Sequence, residues 1–178
     1  MQIIKGISIP HLGFDPSKQG DFLYHEGPLL SHFIDRNNPS DNYFYRWVDY
    51  NDLANRWLIF RLSEEDLLVF FNKKASLQQL VKKNAFIHIL DLDKDLNKIQ
   101  ILVVSINDLP KEYLPSSDAF FEEEQYENHA LFVRNSLVHR KIETQSYETL
   151  FKEIALLKEQ QSKTYSLLER LSGLRINP

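Results

Sequence analysis

The chain contains no cysteine among its 178 residues. That excludes disulfides, thiolate-held zinc and cysteine nucleophiles, and it fits a reducing compartment. Glycine is scarce, with five in all, which argues against large glycine-lined ligand loops. No apolar run approaches the roughly 18 residues of a membrane span. The opening Met1-Gln2-Ile3-Ile4-Lys5-Gly6 is too soon interrupted for a secretory leader, so the expected location is the cytoplasm. A large excess of one charge is missing as well. The net charge of −4 (21 basic against 25 acidic side chains) gives no global reason to expect nucleic acid. The local pairs Lys73-Lys74 and Lys82-Lys83 fall at the ends of predicted helices, where cations complement the helix dipole. No H-E-x-x-H, G-x-S-x-G or G-x-x-x-x-G-K-[ST] occurs, which removes the usual zincin, serine-hydrolase and phosphate-loop sites.

Apolar residues, by contrast, make up 43 % of the chain, ample for a core. Aromatic residues at 12 % favour a sheet over a plain helical bundle. Residues 1–20 carry Pro10, Gly13, Pro16 and Gly20 and read as an irregular lead-in. Strands are predicted at Asp21–His25 and Pro28–Asp35. The clearest alternation follows at Tyr43–Tyr50, with Tyr43, Tyr45, Trp47 and Asp49 on one face and Phe44, Arg46, Val48 and Tyr50 on the other. Arg56–Leu62 returns the chain as a hairpin partner. There the strand pattern becomes helical at Ser63, an N-cap with Asp66 completing a capping box, while Leu62 and Leu67 occupy the two positions of a hydrophobic staple. Ser76-Leu77-Gln78-Gln79 is a second capping box and starts a helix ending near Lys83. Ala85–Leu92 and Ile99–Ile106 form a second hairpin. The acidic stretch Asp118–Asn128 reads as a linker or short helix that buries little. Ala130–Phe132 and Ser136–Ile142 read as one more strand.

Thr144 or Ser146 then caps the longest predicted helix, which stops at Gly173. Leu150, Ile154, Leu157, Leu168 and Leu171 recur at three- and four-residue steps, with Gln161 and Thr164 completing the stripe. A helix of that length, about 40 Å, exceeds what a small body usually covers. Part of it is therefore expected to meet another helix, with Leu150, Ile154, Leu157, Gln161, Leu168 and Leu171 as a coiled-coil, homodimeric interface and Gln161 setting its register. The resulting expectation is an α+β protein. Residues 1–142 form a mostly antiparallel body with short helices after the second hairpin strand, and residues 143–178 form the long amphipathic helix and its tail.

Candidate chemistry is thin. Asp91-Leu92-Asp93-Lys94-Asp95 opens like a calcium loop, but Leu96 and Leu102 stand where that loop needs glycine and a bidentate glutamate, so a solvated hairpin turn is expected. Arg134-Asn135-Ser136-Leu137-Val138-His139 resembles the arginine-to-histidine motif of helical ribonucleases of the HEPN type. That resemblance implies a guanidinium stabilising phosphate charge and an imidazole acting as acid or base. The alternation of the segment favours a strand instead, so a metal-independent ribonuclease using Arg134 and His139 is the alternative. His88, in an apolar strand, is expected to be buried and hydrogen-bonded. Tyr43, Tyr45 and Trp47 could stack bases, but burial in a core or interface is favoured for want of a basic groove. No metal or cofactor is expected.

The ordered series Glu26-Gly27-Pro28-Leu29-Leu30, Tyr43–Asp49, Trp57–Leu67, Ser76-Leu77-Gln78-Gln79-Leu80 and Asp108-Leu109-Pro110-Lys111-Glu112-Tyr113-Leu114-Pro115 resembles an uncharacterised family of small bacterial proteins. The resemblance covers about residues 22–116 and implies an α+β body, with no activity or site residues to carry over. The expected function is a non-enzymatic binding or scaffolding protein that self-associates through its last helix. An accessory subunit of a bacterial defence or toxin-type system is the expected setting.

Overall fold

In the computed structural model, the described residues are 1–173. Within the last helix, the side chains of Tyr165, Glu169 and residues 171–173 lie outside the description, as does the predicted tail beyond. The chain divides into two compact units, residues 1–135 and the chain from Ser136 onward. The first unit is built on a single antiparallel sheet of seven strands, so the α+β expectation holds. The strands are β1 (Ile7–Ile9), β2 (Pro16–Tyr24), β3 (Pro28–Asp35), β4 (Asn42–Tyr50), β5 (Asn55–Leu62), β6 (Phe86–Leu92) and β7 (Lys98–Ser105). Their order across the sheet is β1-β7-β6-β5-β4-β3-β2.

β2 to β5 form a meander of consecutive hairpins. After β5 the capping boxes read from the sequence are both present. Ser63 starts α1 (Glu64–Phe71), accepting from the Asp66 N–H while Asp66 reaches back to the Ser63 N–H, and Ser76 and Gln79 do the same for α2 (Leu77–Val81). Leu62 and Leu67 are both buried, as a staple requires. The helices cover one face of the sheet, over Phe22, Leu30, Phe44, Leu58, Phe60, Ile87 and Val104, all essentially inaccessible.

Two expectations for this unit are corrected. The lead-in is not irregular throughout, since β1 and the first part of β2 lie within it. The acidic stretch is not a poor contributor to the core. Phe121 is 2 % exposed and packs on Phe70, Phe71 and Tyr126, with ring centroids 4.8–5.7 Å apart. Glu123 and Glu124 stay exposed beside it, as does Phe120, while Phe121 turns in.

A third correction concerns the predicted strand at Ala130–Phe132 and Ser136–Ile142. Both pieces belong to α3, which runs from Asn128 to Gly173. The alternation there is accidental. Ala130, fully buried, and Arg134, one turn later, share a helical face, and Arg134 bonds back to Glu123 at 2.7 Å.

Within the first unit, a buried ion pair ties the centre of the sheet to its surroundings. Arg56 and Asp91, opposite each other on β5 and β6, form a two-pronged pair at 2.7 Å for each bond. Arg56 also donates to the Gln2 carbonyl at 2.6 Å, and Gln100 donates to Asp91 at 2.6 Å. A bulge between Trp47 and Asp49 brings Asp49 opposite Arg56, reversing the face that strict alternation assigned it, and Tyr113 donates its hydroxyl proton to Asp49 at 2.5 Å.

Candidate functional site

β1 and β2 are consecutive in the chain yet lie on opposite edges of the sheet. A flat sheet of seven strands spans about 29 Å between its edges at roughly 4.8 Å per spacing. The six residues Pro10–Asp15 reach at most about 25 Å when fully extended. The sheet must therefore curl, and the connection crosses the face away from α1 and α2. Ile9, Leu12 and Phe14 pack there against Tyr45, Ile59, Leu90 and Ile101, and Phe14 lies flat on Tyr43 with ring centroids 3.7 Å apart.

Beside this strap a cavity of about 530 Å³ opens on the same face. Its lining joins Pro16 and Lys18 of β2 to Lys98 and Ile101 of β7, strands five places apart in the sheet, so the curl itself forms the site. The floor is Phe33, Tyr45, Trp57 and Leu90, with Leu92 and Leu96 toward the β6–β7 turn. Size and lining fall within the range of small-molecule sites, which are typically apolar with a few polar groups. Those groups are unusual here. Tyr45 Oη and Trp57 Nε1 are both buried with no hydrogen-bond partner among the described residues. Burial pushes the Tyr45 hydroxyl well above its ordinary range, with the Tyr43 hydroxyl adding in the same direction, so Tyr45 stays a proton donor.

On the helix-covered face, a second polar group joins β3 to α3. His32 Nε2 lies 2.9 Å from Asn42 Oδ1, and His32 Nδ1 lies 3.1 Å from His129 Nε2. The Asn42 amide donates to the Ser40 carbonyl, which orients Oδ1 toward His32. Hence His32 carries its proton on Nε2 and accepts from the His129 N–H through Nδ1. Burial lowers the His32 pKa to about 4; the Asn42 bond opposes that shift and the His129 charge reinforces it. A Cβ at Gly20 would come within 2.5 Å of the His129 ring, so only glycine permits this approach. His32 is thus the buried, hydrogen-bonded histidine. His88 is half-buried, edge-on to Phe14, and its pKa is lowered by burial.

The residues singled out from the sequence fall as follows. Tyr45 is buried and Tyr43 is covered by Phe14, so this aromatic face is no free platform for bases. The turn at Asp93–Asn97 is closed by the Asp93 carboxylate accepting from the Asp95 and Asn97 N–H groups, the behaviour of a hairpin turn. Among the described residues no three metal-binding side chains converge, and no helix is long and apolar enough to cross a membrane.

Arg134 and His139 both lie on α3, so the strand objection to the nuclease motif falls. Arg134 is held by Glu123 and lies over the Phe121 ring, while His139 is exposed with Glu143 at 3.4 Å. In the second unit Leu150, Ile154, Leu157, Gln161 and Leu168 are all exposed, and the side chain of Leu171 lies outside the described residues. What the sequence did not reveal is the cavity, because its walls come from six strands and a segment taken for irregular lead-in.

The chain matches no protein-family model, and comparisons with curated proteins and with solved structures find no significant match.

Proposed function

We propose that this is a non-enzymatic binding or scaffolding protein that pairs with a second copy through the exposed stripe of α3. The observation that carries this reading is the stripe's spacing together with its exposure. Tyr147, Ile154, Gln161 and Leu168 occupy one heptad position and Leu150, Leu157, Thr164 and Leu171 the other, in unbroken three- and four-residue steps. Branched Ile154 beside leucines at the alternate position suits two strands, and a single buried glutamine favours one register. The flanking charges suit a parallel pair. Glu153 precedes Ile154 and Lys158 follows Leu157, the positions that meet across an in-register parallel dimer.

Light scattering tests the pairing. The full chain should have a mass near twice 21.0 kDa, and Leu157→Arg should halve it. Glu153→Lys and Lys158→Glu should each weaken association, and their combination should restore it. A wild-type monomer at tens of micromolar would refute the reading. The ribonuclease alternative now rests on Arg134 and His139 sharing a helix. RNA cleavage by the full chain that His139→Ala abolishes would favour it over a binding role.

A further inference from the structure

The cavity on the curled face has no part in the pairing of α3, and three independent features of it point to one class of ligand. The first is its apolar depth. Phe33, Tyr45, Trp57, Leu90 and Ile101 line a space of about 530 Å³ that would take a flexible hydrocarbon chain or small ring system. Phe33 and Tyr45 pack ring to ring at 4.1 Å, which braces the floor in place.

The second feature is a deficit of acceptors. Tyr45, 6 % exposed, and Trp57 carry the two buried side-chain donors without partners among the described residues, and both belong to this lining. An unsatisfied buried donor is costly, and such groups are rare enough to need a reason. A hydrogen-bond acceptor brought in with a ligand would supply it. The charge at the rim indicates the kind of acceptor. Lys18 is shared with Asp21 at 2.8 Å, but the ammonium of Lys98 bonds the neutral carbonyl of Pro10. An anionic head group would gain a charged partner there.

The third feature is the lip. Leu96, at the tip of the β6–β7 turn, has φ 64°, a left-handed conformation that favours glycine or asparagine. It is also 74 % exposed, and it lines the cavity. Folding alone would be better served by asparagine at this position. A leucine held there in strain and in water adds apolar wall to the site and nothing evident to the core.

We propose that the curled face is a binding site for a single-chain carboxylate amphiphile of the fatty-acid type. The chain lies over Trp57 and Leu90 beneath Leu96. The carboxylate accepts from the Tyr45 hydroxyl, exposed by a small rotation of the ring, and Lys98 of the same lining supplies the positive charge.

Calorimetry on the full chain with dodecanoate below its micelle-forming concentration and with dodecanol below its solubility limit tests this. Dodecanoate should bind saturably with one site per chain and more tightly than dodecanol. Tyr45→Phe should weaken dodecanoate binding about tenfold, the worth of one hydrogen bond to a charged acceptor. Its thermal midpoint without ligand should stay level or rise, because the hydroxyl has no partner to lose. Leu96→Asn should likewise bind more weakly while melting higher. Three results would overturn the assignment. They are saturable binding of neither probe, binding of dodecanoate by both variants as tight as by wild type (which places the ligand elsewhere), and association of wild-type copies that Leu96→Asn abolishes (which makes the occupant a second chain). Equal affinity for dodecanol would overturn the anionic head.

Discussion

His32 shows how much the chemistry of one residue is set by its surroundings. Its imidazole stacks on Phe44 at 5.1 Å and spends both nitrogens on Asn42 and His129, so an added proton would have neither water nor a free acceptor. Its pKa of about 4 lies below the value of 6.5 expected in the unfolded chain. Between those two values the unfolded chain binds a proton that the folded one refuses. The contribution of His32 to stability is therefore flat above pH 6.5, falls as the pH drops toward 4, and levels off below. The loss from His32 alone should be about 2 kcal/mol by pH 5. His129, also lowered by burial, although Asp21 opposes the shift, adds in the same direction. Urea unfolding at pH 7.5 and pH 5 measures the loss, and His32→Gln should shrink the difference. An equal difference in that variant would assign the effect to other groups. That His32 is the buried histidine could not be read from the sequence. It stands in Ser31-His32-Phe33 as unremarkably as His88 does in Ile87-His88-Ile89, and only the arrival of α3 distinguishes them.

At the scale of elements, local signals did most where hydrogen bonds are local. Ser63 with Asp66 and Ser76 with Gln79 satisfy the first N–H groups of their own helices, so the two helix starts were legible without tertiary information. Ser63→Ala should cost about 1 kcal/mol in chemical unfolding. Restoring the cap with Ser63→Thr should recover most of it. Failure of Ser63→Ala to destabilise would mean that α1 is held by packing alone. The start of α3 was illegible for the opposite reason. Ser136-Leu137-Val138-His139 alternates as a strand does, and a run this short fits either period. A strand needs a neighbour to bond with, and the sheet already ends with β1 and β2 at its edges. A helix satisfies its backbone within itself, so the segment forms one.

For the molecule as a whole, the order of the strands has the largest consequences. Joining opposite edges of the sheet through six residues forces the curl, and the curl draws apolar side chains of distant strands around one cavity. The same sheet carries Arg56 and Asp91 at its centre, each about 3 % exposed. Removing one partner should leave a buried charge, so Asp91→Ala is expected to destabilise by about 3–5 kcal/mol. Arg56→Met combined with Asp91→Leu should cost less than Asp91→Ala alone. Thermal unfolding of the three proteins decides it, and a double variant worse than the single one would show that the pair is worth more than a well-packed apolar substitute.

By itself the sequence determined the class of fold, the β3–β4–β5 meander, both capped helices and the stripe on α3. These depend on periodicity and on bonds between residues close in the chain. Tertiary structure alone decided which face of the sheet stays open, that the lead-in crosses it, and that Tyr45 and Trp57 meet Leu96 and Lys98 around one space. Those outcomes depend on strand order and on the finite reach of a six-residue connection, and neither is encoded in any local pattern.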